Sequence, residues 1–237
     1  MIPGLVCAHR FIGGSGASSI DLSGQGNDLS VVNATWEDAG LQFDANGEYA
    51  ALDNSGQGVI NSTAGTIVIK TKSLSAFTDG VGRWLFGSYA ASTEGNFTIL
   101  KQDNNYLYFL MEDSAGLHYV NLNSAGIPSW LTGTQLAFLW DRNNVIANSD
   151  KIVINVDGVH KVPSVASGET SWNSFTVLPS LYVGNNAADI TNYANSVIER
   201  IDIFNRVLSV AELLGIKNNP ESVYQGATKQ YYQPILY

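Results

Sequence analysis

Short runs of β-branched and aromatic residues recur along most of the chain, and turn-forming residues such as DG, NN, GN and SxG separate them. Many of the runs alternate apolar and polar residues with a period of two, which is the pattern of a strand with one buried face. The clearest predicted strands are GTIVIKTK (65–72), GRWLFGSY (82–89), NFTILKQ (96–102), YLYFLMED (106–113), LHYVNLN (117–123), QLAFLWD (135–141), KIVINVDG (151–158), SLYVGN (180–185) and SVIERIDIF (196–204). Many short strands at this spacing favour an antiparallel sandwich or barrel over alternating strands and helices.

One stretch, LSVAELLGIKNN (208–219), predicts a helix instead of a strand. Ser209 is placed as its N-cap, and Glu212 follows three residues later, which is the capping-box pattern. No proline-rich or charged linker divides the chain into two regions of different composition. We therefore predict one domain over residues 1–217, followed by a tail over residues 218–237 that packs on the domain or on a neighbouring subunit.

The charge pattern narrows the possible partners. The 12 Lys and Arg residues are spread singly along the chain, and the formal net charge is −9. Without a basic stripe to neutralise phosphates or anionic lipid headgroups, we predict neither nucleic acid nor a membrane as a partner. One cysteine cannot form an intrachain disulfide, and no Cys/His cluster has zinc spacing. The opening MIPGLVCAHRF lacks a basic segment followed by a long apolar run, so we also expect no export signal.

Several motifs follow one another in a familiar order: LVCAHRF, IDLSGQGNDLSVVNATW, LQFDANGEYAAL, LAFLWDR with KIVINVDGVH, LYVGNN, and IERIDIFNRVLSVAEL. This order resembles the laminin-G-like, concanavalin-A-like jelly-roll family. The resemblance implies an all-β fold, an antiparallel two-sheet jelly-roll sandwich with one short C-terminal helix and an irregular tail. It also implies that the first and last strands, 5–12 and 197–204, lie side by side. The fold alone does not select a function, because it hosts lectins, glycanases, adhesion modules and virion proteins.

The carboxylates of the last predicted strand do not have the spacing of a catalytic pair. Glycanases of this superfold carry two carboxylates two residues apart on one strand, where both side chains face the same bond. Glu199 and Asp202 are three residues apart and face opposite sides of a regular strand. The histidines lie in or beside strand patterns, at strand surfaces or hairpins, and no G-x-S-x-G elbow is present. We predict no catalytic residues and a protein that is not an enzyme.

The loop DLSGQGND (21–28) is the predicted metal site. Calcium takes oxygen ligands from Asp, Asn and backbone carbonyls, often on glycine-containing loops that curl around the ion. The resemblance implies that Asp21 and Asn27 of this loop, together with Glu199 of the closing strand, bind one calcium ion. Calcium is the only cofactor that we predict.

The alternation of side chains along the last strand leaves three possible partners for the Glu199 carboxylate. In a regular strand Glu199 shares a face with Ile201 and Ile203, so its carboxylate is expected to be partly buried and to need a partner. That partner is a calcium ion, backbone N–H groups of the Asp21 loop, or a basic side chain such as Arg10 from the first strand.

A second acidic segment, FDANGEYAALDNSGQG (43–58), predicts a turn and no metal site. Asn46-Gly47 suits a two-residue type I′ hairpin turn, and the flanking residues alternate as strands do. We therefore expect a hairpin that needs no ligand.

Aromatic residues suggest a carbohydrate site, because the C–H faces of sugars stack on aromatic rings. Trp84 and Trp140 lie within strand patterns and are predicted to be core residues. Trp130 and Trp172 lie in loops, and we predict them as the better exposed residues for glycan contacts.

The end of the chain, NNPESVYQ…YYQPILY, resembles the tails that follow jelly-roll modules in tailed-phage proteins. The resemblance implies a non-enzymatic virion protein of a bacteriophage, a head decoration or another capsid- or tail-associated protein located in the virion. Its partners would be capsid or tail proteins and further copies of itself, bound through Tyr231, Tyr232, Ile235, Leu236 and Tyr237. The alternative is a lectin-like module that binds host surface glycans. A secreted glycanase or adhesin domain, located outside the cell, is the third candidate.

Overall fold

The computed structural model describes residues 2–52, 56–74, 79–88, 94–123, 133–147, 149–167, 172–178, 180–185 and 193–224. Within these residues, strands pair into two sheets that are antiparallel throughout. The predicted all-β, two-sheet architecture is therefore confirmed, and every predicted strand is present with ends shifted by at most a few residues.

The first sheet contains both terminal strands. Its order is β14-β13-β12-β7-β17-β5-β4, with β1 pairing beside β5 on β17. Its strands are β1 (Leu5–Arg10), β4 (Thr35–Glu37), β5 (Gly40–Phe43), β7 (Ala64–Leu74), β12 (Gln135–Asp141), β13 (Ile152–Val156), β14 (Val159–His160) and β17 (Ser196–Phe204). The predicted neighbourhood of the first and last strands is confirmed, because Ala8 pairs with Asp202 and Arg10 with Arg200.

The second sheet has the order β15-β11-β10-β9-β8-β16-β6-β3-β2. Its strands are β2 (Ser18–Ser19), β3 (Leu29–Val32), β6 (Tyr49–Leu52), β8 (Arg83–Ser88), β9 (Phe97–Lys101), β10 (Tyr106–Asp113), β11 (Gly116–Asn123), β15 (Val165–Ser167) and β16 (Leu181–Val183). The shortest of these strands and a one-turn helix, α1 (Gly56–Val59), were not predicted, because two to four residues are too few to show a period.

The main core lies between the two sheets and follows the period of two. In β10, Leu107, Phe109 and Met111 are fully buried, while the residues between them are partly exposed on the opposite face. The ring of Trp140 packs edge-to-face against Phe97 and Phe109 at centroid distances of 5.0 and 5.9 Å. Such pairs add about 0.5 to 1.5 kcal/mol each beyond the burial of apolar area. The predictions that Trp84 and Trp140 are buried are both confirmed.

A second, smaller core covers the outer face of the first sheet. Helix α2 (Val210–Asn218) and the 3₁₀ turn Pro220–Val223 place Leu213, Ile216 and Val223 against this face. Helix α2 has the predicted capping box: Ser209 Oγ accepts from Glu212 N, and Glu212 Oε2 accepts from Ser209 N. The first residues of the predicted tail therefore pack on the domain.

Glu212 also pairs with Arg206, whose Nη2 lies 2.5 Å from Glu212 Oε1. Together with the cap, this ion pair lowers the pKa of Glu212 to about 2. The stabilisation from Glu212 is therefore present above pH 4.5 and is lost as the pH falls towards 2.

We expect Glu212→Ala to lower the free energy of unfolding by about 1 kcal/mol at neutral pH, measured by urea denaturation. Glu212→Gln keeps the capping box and should lose less; an equal loss would contradict the capping role.

The predicted Asn46-Gly47 hairpin is wrong. Strand β5 before the turn belongs to the first sheet, whereas β6 after it belongs to the second sheet. The turn is held by Glu48, whose Oε2 accepts from the backbone nitrogens of Asp44 and Ala45 at 2.6 and 2.9 Å. Gly47 has a positive φ, but Asn46 does not, so the turn is not type I′.

Candidate functional site

The carboxylate of Asp21 is the centre of the DLSGQGND loop. Its Oδ1 accepts from the backbone nitrogens of Ala8 and Ser23, each at 2.9 Å. Its Oδ2 accepts from Ser23 Oγ at 2.7 Å and from Asn27 N at 3.0 Å. The side chain is buried, so these four donors replace the water that an exposed carboxylate would bind.

The loop around Asp21 closes on itself and on the edge of β1. Asp21 N donates to Asp28 Oδ1 at 2.8 Å, and Leu22 N donates to Ala8 O at 2.8 Å. Gly24 and Gly26 both have φ of +78°, a conformation that side chains with a Cβ seldom adopt. The loop therefore occupies the free edge of a terminal strand, which would otherwise expose unpaired backbone groups.

Glu199 does not join this loop. Its backbone oxygen accepts from Phe11 N on the β17 side of β1, whereas Asp21 binds Ala8 N on the opposite side of β1. Three residues along a strand span about 10 Å, and β1 lies between the two carboxylates. The structure thus brings Asp21 and Asn27 together but leaves Glu199 apart from them.

The partner of Glu199 is a basic side chain, the third of the predicted alternatives, but the residue is Lys70. Lys70 Nζ lies 3.0 Å from Glu199 Oε1, and both side chains are largely buried. Arg10, the predicted partner, pairs with Glu221 instead. A β-bulge at Glu199 explains why its side chain does not lie where a regular strand would place it. Ile198 pairs with Thr71 and Arg200 pairs with Lys70, so Glu199 has no partner residue on β7.

Calcium binding at Asp21 and Asn27 stays a prediction. An ion would have to displace hydrogen bonds that Asp21 already accepts, and Asn27 Nδ2 donates to Val6 O at 2.7 Å. If calcium binds here, we expect the melting temperature of the protein, measured by differential scanning calorimetry, to be higher with calcium than with chelator. An unchanged melting temperature would show that the protein donors alone hold the loop.

Beside Asp21 lies a buried group that the sequence did not indicate. Ligand-type atoms of Cys7, His9 and Asp21 lie within 4.8 Å of one another. His9 Nε2 lies 3.0 Å from Asn27 O, which can only accept, so Nε2 carries the proton and Nδ1 accepts from Ser19 Oγ at 3.1 Å. Burial, followed by the charge of Asp21, raises the pKa of the Cys7 thiol. Both side chains are therefore neutral and link β1 to the loop. The prediction of a strand-surface histidine is wrong for His9, which is buried. The sequence signal for this buried group was the placement of Cys7 and His9 two residues apart, on one face of a strand.

Acid should weaken the protein through His9. Burial lowers its pKa to about 4, below the ordinary value of 6.5. The unfolded chain then binds more protons than the folded one between these values, so stability falls as the pH falls from 6.5 to 4. We expect the loss from this group to reach about 2 kcal/mol near pH 5. The measurement is the difference between wild type and His9→Gln in urea denaturation against pH, so that other titrating groups cancel. A difference that does not change with pH would contradict it.

The outer face of the second sheet carries a row of tyrosines. Tyr106 and Tyr108 of β10 and Tyr119 of β11 form a chain of tilted rings, with centroids 6.4 and 5.6 Å apart. Tyr49 of β6 and Tyr182 of β16 form an edge-to-face pair at 5.6 Å. All five are partly exposed, and we call this surface the tyrosine face.

The tyrosine face is long, and no described helix packs on it. Strands β9 and β8 lie between its two groups of rings, so Tyr108 and Tyr182 are about 14 Å apart at ordinary strand spacing. Leu100, which is partly exposed, pairs with both Tyr108 and Trp84, but Trp84 is only 5% exposed, so the exposed apolar surface is interrupted at Trp84. Helix α2 packs on the other sheet, and Val59 of α1 packs in the main core. The alternation in YLYFLMED (106–113) was the sequence signal for this surface.

The predicted exposed ring of Trp172 is wrong. The side chain is 6% exposed, and its Nε1 donates to Ser62 O at 3.0 Å. Its ring lies beside that of His118, a second buried histidine that was predicted at a surface. Trp130 and the predicted partner-binding residues lie outside the described residues, and their roles stay predictions: Tyr231, Tyr232, Ile235, Leu236 and Tyr237.

Comparison with known proteins gives a likeness of fold. No protein-family model and no curated protein sequence matches the chain. A sialidase from Trypanosoma rangeli in complex with 2,3-difluorosialic acid is similar, with a TM-score of 0.65 and 15% identity over 94% of this chain and 34% of that one. The binding domain of botulinum neurotoxin serotype G has a TM-score of 0.68 and 13% identity, over 92% of this chain and 51% of that one. The receptor binding domain of botulinum neurotoxin D has a TM-score of 0.65 and 10% identity, over 92% and 53%.

This chain therefore spans a third to about half of the length of these similar chains. Among the described residues, no helix is long and apolar enough to cross a membrane. At these identities the likeness establishes the architecture, and the chain has the β-sandwich fold that these structures share.

Proposed function

We propose that this chain is a non-enzymatic binding module that holds carbohydrate on the tyrosine face. The observation that carries the proposal is the row of five partly exposed tyrosines on a sheet face that no described helix covers. Aromatic rings offer flat apolar surfaces for sugar C–H faces, and their hydroxyl groups offer hydrogen bonds at the rim. Two groups of exposed rings about 14 Å apart suit an extended oligosaccharide that contacts both.

The similar structures support a binding role. One is a sialidase in complex with a sialic acid derivative, and the others are receptor-binding or binding domains of neurotoxins. These structures support a binding function on a β-sandwich of this type, and the tyrosine face supplies the argument for the ligand class, because a fold does not select a ligand.

The non-enzymatic part of the proposal rests on the carboxylates of β17. Glu199 is paired with Lys70, and Asp202 is fully buried beside Arg200. Glycoside hydrolysis needs two carboxyl groups that flank one bond in a cleft. Neither Glu199 nor Asp202 is placed to reach a substrate on the tyrosine face, because β17 belongs to the other sheet.

The test is binding to an array of oligosaccharides, followed by calorimetry on the strongest ligand. We expect Tyr108→Ala to weaken binding about tenfold, because it removes a stacking surface in the middle of the first group of rings. Tyr108→Phe keeps the ring and should retain most of the affinity. No binding by wild type, or equal affinity for Tyr108→Ala, would contradict the tyrosine face, and turnover of a polysaccharide would contradict a non-enzymatic role.

The second candidate is a structural role in a bacteriophage virion, as a head decoration or another capsid- or tail-associated protein, which is compatible with adhesion to host glycans. The supporting observation is the tail, which begins by packing Val223 into the second core and continues into the apolar ending YYQPILY. The test compares the oligomeric mass of the full chain with that of a chain ending at Tyr224. Self-association that depends on the tail would support this role, and monomers in both cases would contradict it.

A further inference from the structure

A pocket of about 360 Å³ lies beside β1 of the first sheet and is lined by none of the five tyrosines of the tyrosine face. Its wall is formed by the turn after α1, the segment 172–178 and the end of β17. The polar side chains in this wall are Asn61, Ser62, Thr176 and Asn205, and Phe175 adds an aromatic ring. The volume lies within the range of about 300 to 1,000 Å³ that is usual for small-ligand sites.

Two buried tryptophans form hydrogen bonds to the backbone of this wall. Trp140 Nε1 donates to Asn61 O at 2.7 Å, and Trp172 Nε1 donates to Ser62 O at 3.0 Å. Both rings are packed in the main core, so the backbone of Asn61 and Ser62 is fixed before any ligand arrives. Such preorganisation lowers the entropic cost of binding.

The pocket offers uncommitted hydrogen-bonding groups. The side-chain amide of Asn205 and the hydroxyl of Thr176 belong to exposed residues, and neither makes a hydrogen bond to protein within the described part of the chain. Asn61 Oδ1 accepts from Thr63 N at 2.8 Å, which leaves its amide nitrogen available. Amides and hydroxyls supply both donors and acceptors, as the hydroxyl groups of a sugar also do. None of the described lining residues is charged, which favours a neutral ligand.

We propose that this pocket binds one neutral pyranose unit. In this role Trp172 is a positioning residue, which holds Ser62 in the wall instead of touching the sugar. The site is separate from the tyrosine face, so the proposal does not depend on binding there.

The experiment follows the amide NMR signals of the full chain during titration with single sugars. The probes are the neutral methyl glycosides of glucose, galactose and mannose, and N-acetylglucosamine; N-acetylneuraminic acid is the charged comparison. We expect at least one neutral sugar to shift the amide signals of residues 58–62 and 175–177. We expect Thr176→Val and Asn205→Ala each to weaken this binding about five- to tenfold, the equivalent of one lost hydrogen bond. The matched control is Asn143→Ala, an exposed asparagine outside the pocket, which should bind as wild type does.

Three results would overturn the pocket proposal. The first is that no neutral sugar shifts these signals at about 50 mM, a concentration that nearly saturates a millimolar site. The second is that both pocket variants, folded as shown by their spectra, bind as wild type does. The third is that N-acetylneuraminic acid binds there as well as the neutral sugars do. Shifts confined to β10 and β11 would overturn the pocket while supporting the tyrosine face, and binding in the pocket that survives Tyr108→Ala would support the pocket independently.

Discussion

Replacing Asp21 by alanine is expected to lower the free energy of unfolding by about 4 kcal/mol, because three backbone N–H groups lose their acceptor at once. These groups belong to Ala8, Ser23 and Asn27. Removal of the carboxylate also leaves the Ser23 hydroxyl with only its longer contact to Val6 O, and it opens the edge of β1. The measurement is urea denaturation followed by circular dichroism, with the shift in the transition midpoint converted through the slope.

Two comparisons make this expectation specific to the hydrogen bonds of Asp21. Asp21→Asn keeps the shape of the side chain but turns one acceptor into a donor, which then faces N–H groups, so we expect a loss of similar sign and smaller size. Asp38→Ala removes an exposed carboxylate with no described partner and should change stability by no more than about 0.5 kcal/mol. If Asp21→Ala behaved like Asp38→Ala, the loop would not depend on the carboxylate.

The DLSGQGND loop shows what local sequence does predict. Two glycines, a serine two residues after an aspartate, and an asparagine further on indicate a tight loop folded around a carboxylate. The structure adds that the carboxylate binds protein donors on both oxygens and that the loop lies on the edge of β1. Which strand edge a loop covers depends on the pairing of distant segments, and no spacing within the loop reports it.

Glu199 shows where the period of two fails. A regular strand would place Glu199 on the same face as Ile201 and Ile203, yet the core contains Ile198 together with these two residues. The bulge at Glu199 inserts one extra residue, so Ile198 faces the core together with Ile201 and Ile203. A single inserted residue leaves no mark in the composition of the strand. The strand itself and its pairing with the first strand were therefore predictable, but the side of the sheet on which the Glu199 side chain lies was not.

Turns and loops were predicted less well than strands for a related reason. Asn46-Gly47 has the local chemistry of a hairpin, but the choice between pairing with β5 and crossing to the second sheet is decided by long-range packing. Trp172 lies in a loop by sequence, but its ring belongs to the main core. Position in a loop predicts an irregular backbone and does not predict exposure of a large apolar side chain.

The second large effect is expected at the buried pair of Arg200 and Asp202. Arg200 Nε lies 2.9 Å from Asp202 Oδ2, and both side chains are almost completely buried. Arg200 Nη2 donates to Gln135 Oε1 at 3.3 Å, and Gln135 Nε2 donates to Leu213 O at 2.9 Å. Tyr224 OH donates to Asp202 Oδ1 at 3.1 Å, so the group joins the last strand to helix α2 and to the start of the tail.

Asp202→Ala should lower the free energy of unfolding by about 3 to 5 kcal/mol, because it leaves a guanidinium buried without its counter-charge. Tyr224→Phe removes one hydrogen bond only and should cost about 1 kcal/mol. Thermal and urea denaturation of the two variants measure the difference, and similar losses in both would contradict the dominant role of the charge.

The double variant Arg200→Met with Asp202→Leu separates the value of the pair from the cost of breaking it. The free-energy cost of removing two charges from water offsets most of their mutual attraction. Apolar residues of similar volume therefore often give the folded protein about the same stability as a buried ion pair. We therefore expect the double variant to be more stable than Asp202→Ala and close to wild type. If it were instead as unstable as the single variant, the pair itself would be the main contact between the last strand and the helix. If stability returned without the pair, Leu213, Ile216 and Val223 of the second core would be sufficient to hold α2 on the first sheet, and the charges would serve to fix its register.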